Sequence, residues 1–150
     1  MTALAITLFI ALLGIAVAHA LWGLRIWWPV SDERTLARTV VGAASIERMP
    51  PAHQCIAVTL VMITVAALTL QLGGISKTTW ATATTLSVAG FAASAVFVLR
   101  GIAGFLPFWA KLTPEQPFRR YDQWMYSPLS LMLGIGIFIL SQNFSATVAG

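Results

Sequence analysis

Four stretches of this chain, residues 4–24, 54–72, 80–99 and 128–147, each run for close to twenty residues without a single Asp, Glu, Lys or Arg. A helix rises 1.5 Å per residue, so roughly 20 residues cross the ~30 Å hydrocarbon core of a bilayer. Lipid offers backbone groups no hydrogen bonds, and continuous apolar runs of this length satisfy that demand as helices. Composition agrees: 58% of the 150 residues are hydrophobic and 9% are charged, against about 25% charged in a soluble domain. Too few charges remain to cover a water-soluble surface. The expected fold is an all-α integral membrane protein, a four-transmembrane-helix bundle forming one domain over residues 1–150, with the lipid bilayer as its first partner.

The runs differ in character. The first is apolar except for Thr7 and His19, and the second is rich in Val, Leu and Ala. The third carries Thr82, Thr84, Thr85, Ser87 and Ser94, whose hydroxyls can bond back to helix carbonyls. The fourth is expected to open with Ser127 as N-cap and Pro128 at the first helical position. Small residues recur at helical spacing: Thr7, Ala11, Gly14 and Ala18, then Gly90 and Ser94, then Ser130 and Gly134. Such stripes let helices approach closely, and packing within the bundle is the expected role rather than a dimer interface or a substrate path.

The connections are uneven. A first loop holds Arg25, Arg34, Arg38 and Arg48, a third loop from Arg100 to Tyr126 holds Arg100, Lys111, Arg119 and Arg120, and the turn between them holds only Lys77. By the positive-inside rule the two long loops are expected in the cytoplasm and both termini outside the plasma membrane. The basic residues, and the net charge of +4, are thus assigned to orientation; a nucleic-acid partner would need them gathered on one solvated face. Small-residue patterns at Ala16-Val17-Ala18 and Ala18-His19-Ala20 resemble signal cleavage sites. No positive residue precedes the run, however, and it is longer than a signal core, so it is read as a retained span.

Within the first loop, Ser31-Asp32-Glu33 suits the start of a short surface helix, while Thr39-Val40-Val41 equally suits an extended segment. Met49-Pro50-Pro51 stops any helix before the second span. In the third loop Phe105, Leu106, Phe108 and Trp109 around Pro107 read as a segment at headgroup depth, and Trp27 and Trp28 read as part of an aromatic belt.

Few residues could carry chemistry. His19 lies roughly 8 Å inside the end of the first span, and an ionisable group there is a functional suspect. Trp22 shares its face three positions on. Arg100 needs a carboxylate or an escape to the interface; Asp122 is the first choice of partner, with Glu47 and Glu33 as alternatives. His19, Trp22, Arg100, Tyr121, Asp122 and Tyr126 all map to the loop end of the bundle and form the candidate binding set, with His19 as the one candidate catalytic group. Such a set could hold an anionic headgroup, a quinone-like ring or a phosphorylated lipid. The competing structural reading makes His19 a neutral residue bonded to its neighbours and Arg100–Asp122 a clamp on the third loop.

No metal site is expected. His19, His53, Cys55 and Met49 lie towards one membrane face, but their spacing matches no known zinc or haem ligand pattern. A single cysteine excludes an internal disulfide. No Ser-His-Asp set, phosphate-binding glycine loop or paired intramembrane carboxylate is present, and no cofactor is specified.

The segments His19-Ala20-Leu21-Trp22, Trp28-Pro29, Val41-Gly42, Met49-Pro50 and Arg100-Gly101, with Tyr121-Asp122 and Tyr126-Ser127-Pro128-Leu129, resemble a bacterial family of small membrane proteins designated domain of unknown function 3995. The resemblance covers nearly the whole chain and implies a four-span bacterial membrane protein. It implies no activity, cofactor or partner. One stretch departs from it, since Gly23-Leu24-Arg25-Ile26-Trp27 stands where the resemblance implies a more glycine-rich turn.

Three function classes follow. The leading one is a binding or accessory membrane protein whose polar pocket holds a lipid-like ligand or docks a protein partner. The alternative is a small membrane enzyme acting on a lipid-like or amphipathic substrate with His19 as acid or base. The third is an oligomeric transporter or channel, disfavoured by the scarcity of polar residues at mid-membrane. Oligomeric state is not written in the sequence.

Overall fold

A computed structural model describes residues 1–76 and 81–149, the side chains of 148 and 149 excepted, so Lys77 and Trp80 lie outside the described residues. The chain runs α1 (Thr2–Gly23), α2 (Glu33–Val40), α3 (Ala52–Leu72), α4 (Ala83–Ala103), α5 (Pro107–Leu112), α6 (Phe118–Tyr121), a π-helical turn (Asp122–Tyr126) and α7 (Ser127–Ala149). No strand occurs among the described residues. α1, α3, α4 and the continuous helix over 118–147 are long and apolar enough to cross a membrane. With 22 residues, α1 is about 33 Å long.

Large apolar side chains cover the outside as well as the core. Ile10 is 62% exposed, Leu60 60% and Val96 66%, and such a surface is stable only where lipid, not water, covers it. The spans pack as two antiparallel pairs, α1 with α3 and α4 with α7, and contact between the pairs is sparser. Their shared core is built from Leu8, Leu12, Leu72, Leu133, Ile137 and Leu140.

The two pairs use small residues differently. In α4–α7, Ser94 donates to the Gly134 carbonyl at 2.8 Å, Gly90 faces Ser141 and Gly101 faces Leu131, each too closely to admit a Cβ. In α1–α3, Thr59 and Thr69 donate across to the Ala16 and Ala5 carbonyls, both at 3.4 Å. The expected packing role therefore holds for Gly90, Ser94 and Gly134. It fails for Thr7 and Gly14, which are exposed, and a Cβ at Gly14 would meet nothing. The buried face of α1 is instead Ala5, Leu8, Leu12 and Ala16.

Both long connections fold over the same end of the bundle. The first resolves as a helix: the Asp32 carboxylate accepts from the Thr35 N–H at 2.8 Å, which caps α2 and holds the Asp32 carboxyl below its ordinary value. Thr39 and Val40 continue that helix rather than forming an extended segment. α1 ends by turning at Arg25, whose φ of 64 is left-handed, with the Ile26 N–H donating to the Leu21 carbonyl at 2.9 Å. This is the stretch where the resemblance implied glycine, the residue that adopts such a φ without steric cost.

The fourth helix overturns the expectation for Ser127. Helix begins at Phe118, so Ser127 is no cap; it is buried inside a continuous helix. The reason lies in Pro128, which has no N–H and crowds the carbonyl four residues back. The backbone widens just before it into a π-turn, where the Ser127 N–H donates to the Asp122 carbonyl five residues back. Asp122, the first residue of that turn, is buried in the protein.

Candidate functional site

Asp122 is 0% exposed and every donor near it is accounted for. Arg100 donates to Oδ1 at 2.5 Å and Ser127 to the same oxygen at 3.1 Å. The Trp109 indole N–H donates to Oδ2 at 3.0 Å, and Arg119 approaches Oδ2 at 3.3 Å while also donating to the Gly104 carbonyl at 2.7 Å. Arg100 in turn donates to Ser127 at 3.2 Å and lies over the Trp109 ring, 5.1 Å from its centroid. Gly104 faces the Ser127 hydroxyl so closely that a Cβ there would overlap it. Two guanidiniums against one carboxylate leave this cluster with one net positive charge.

The sequence named Arg100 and Asp122 as a pair, and the structure brings them together. It did not identify Trp109, Arg119, Ser127 or Gly104 as members. Arg119 could have been found from its i, i+3 spacing to Asp122. Trp109 was placed at headgroup depth with Phe105 and Phe108; those two are exposed, whereas Trp109 is half-buried and turned inward. Nothing in the sequence signals Gly104.

A cavity of about 400 Å³ lies beside this cluster, in the seam between the two helix pairs. Ile15, Val58, Met62, Phe97, Leu129 and Leu133 form its apolar walls, and His19, Trp22, Arg100, Tyr126 and Ser130 its polar or aromatic ones. Of the six predicted site residues, four therefore face one space. Asp122 does not, being enclosed by its donors, and Tyr121 lines a neighbouring cavity with Trp22 and Tyr126.

His19 Nδ1 lies 2.9 Å from the Ile15 carbonyl oxygen. A carbonyl can only accept, so Nδ1 carries a proton, and a singly protonated ring then presents Nε2 as an acceptor. Nε2 has no partner among the described residues. The Trp22 ring lies 4.7 Å away, centroid to centroid, and its N–H is spent on the Trp28 carbonyl at 2.8 Å. The Tyr126 hydroxyl is likewise spent, donating to the Thr39 carbonyl at 3.1 Å; Tyr126 offers the cavity its ring rather than its phenol.

The cavity's lid is the first loop. Val40 of α2 closes it, held by the Tyr126–Thr39 bond and by Glu115, which accepts from Arg38 at 2.6 Å and from the Ser45 N–H at 2.9 Å. These bonds, Arg38's first, keep the Glu115 carboxyl below its ordinary value. Gly42, at φ +81, fits beneath the Phe118 ring where a Cβ would collide. A second space of about 250 Å³ also reaches His19 and is lined by Met49 and Cys55 but not His53. Among the described residues no three His, Cys, Asp or Glu side chains come together.

The apolar exterior, the paired helices and the polar groups gathered at one end define a small helical membrane protein of four spans. A family model described as "Protein of unknown function (DUF3995)" matches residues 12–137. The chain belongs to that family. Neither the search of curated proteins nor that of solved structures returned a match.

Proposed function

We propose that this protein binds an amphipathic, lipid-like molecule in the seam between its helix pairs, acting as a binding or accessory protein of the membrane. The observation that carries the reading is the 400 Å³ cavity, whose walls are mainly apolar and whose few polar groups collect at one end. Its size and lining match the general pattern of small-molecule sites, about 300–1,000 Å³ with few convergent polar groups. The charge distribution supports long loops in the cytoplasm and termini outside, and the family resemblance points to a bacterial plasma membrane.

A photoreactive diazirine fatty alcohol added to the purified protein in bilayers tests the site. Labelling is expected on peptides bearing Met62, Leu129 and Leu133, and Ala18→Phe, which projects a ring into the cavity, should remove it. Labelling spread evenly over lipid-facing positions such as Leu60 and Val96, and unchanged in that variant, contradicts the reading.

A second reading, a small enzyme acting on the same class of molecule, is favoured by one observation: the His19 tautomer leaves Nε2 free to take a proton inside the cavity. His19→Ala would then abolish turnover of a bound amphiphile while binding persists. Turnover equal to wild type removes His19 from any reaction.

A further inference from the structure

The polar end of the cavity is specific about what it can accept. His19 Nε2 is an acceptor with no partner among the described residues, so it asks for a donor. A carboxylate has only acceptors and would set its charge against that lone pair. A phosphate monoester carries about −1.5 to −2 charges, yet among the described residues the cavity is lined by one cation, Arg100, already paired with Asp122. Two of the five N–H donors of Arg100 are used, on Ser127 and Asp122, leaving others for a neutral oxygen. Around these two groups stand the rings of Trp22, Phe97, Phe118 and Tyr126, surfaces that favour a flat headgroup.

We propose that the cavity takes an uncharged, hydroxylated ring of the phenol or hydroquinone class on an apolar tail, its hydroxyl donating to His19 Nε2. A second ring oxygen meets the unspent donors of Arg100, and the tail lies along Met62, Leu129 and Leu133. The inference rests on the reading of the cavity as an amphiphile site and adds the headgroup. It concerns binding alone and includes no redox step.

The test compares three probes, decylhydroquinone, its dimethyl ether and decanoate, each titrated into the full-length protein in phosphatidylcholine nanodiscs. Hydroquinone is expected to bind roughly five- to tenfold more tightly than the ether, the worth of one hydrogen bond. His19→Phe keeps a ring and removes the acceptor, and should erase that preference without weakening the ether. The chain has two histidines, so in a His53→Gln background the imidazole ¹⁵N spectrum reports His19 directly, even if His19→Phe fails to fold. Its Nε2 resonance should move with hydroquinone and not with ether. Equal affinities with an unmoved Nε2, or tightest binding by decanoate, overturn the headgroup while leaving the cavity standing. If Ala18→Phe changes the binding of no probe, the cavity reading falls and takes the headgroup with it.

Discussion

The two long connections of this protein carry the same kinds of charge and use them in opposite ways. In the first, Arg25–Glu33 and Arg34–Glu47 pair at 3.2 and 2.6 Å, with both arginine side chains more than half exposed. Exposed pairs of this kind contribute about 0–1 kcal/mol each. In the third, Asp122 has no exposed surface and gathers Arg100, Arg119, Trp109 and Ser127 around its two oxygens. Removing one partner of a buried pair costs about 3–5 kcal/mol, because the other charge is left unmatched. What a charge does here is decided by burial rather than by residue type. The first loop's own ion pairs thus lie at the surface, whereas the third loop is fixed to α4 and α7 through a buried one.

The largest break in that contrast is Asp122→Ala, which strands two guanidiniums. A loss of about 3–5 kcal/mol is expected in denaturant titrations of the micellar protein, and a loss below 1 kcal/mol would show that the cluster is no anchor. Gly104→Ala comes next. Its methyl overlaps the Ser127 hydroxyl, and the forced shift should cost about 1–3 kcal/mol; a neutral result would mean that Ser127 has room to move away.

Glu115 sharpens the other side. Its carboxyl is depressed from an ordinary 4.5 by Arg38 first, with desolvation opposing. A carboxyl lowered in the folded state stabilises fully above its unfolded value, and that contribution is lost as pH falls through the folded one. The protection of the α2 amides, relative to their intrinsic exchange at each pH, should therefore fall on acidification below about pH 4.5, whereas that of α4 and α7 holds. A loss of that α2 protection on raising the pH instead would reverse the assignment. Arg34→Ala, at the small end, is expected to shift stability by at most about 1 kcal/mol, less in high salt.

Much of the fold was legible because lipid imposes a simple rule: long uncharged runs must become helices. The runs at 4–24 and 54–72 correspond closely to α1 and α3. Ser127-Pro128 misled, since the same two residues read locally as a helix start, and only the chain before them reveals a helix that continues through a π-turn. For the site, Arg100 and Asp122 were legible as two charges that needed each other near apolar surroundings. Trp109 was not, because an indole that anchors at the interface and one that donates to a buried carboxylate look alike in sequence. Nor could spacing foresee that Tyr126 spends its hydroxyl on Thr39, 87 positions away.

The central claim is that the seam between the helix pairs holds a retained amphiphile. Native mass spectrometry of the protein released gently from its own membrane addresses it most directly, with wild type and Ala18→Phe run side by side. A discrete added mass on wild type that is missing from the folded variant is the predicted result. Two bare chains, or the same added mass on both, would contradict it.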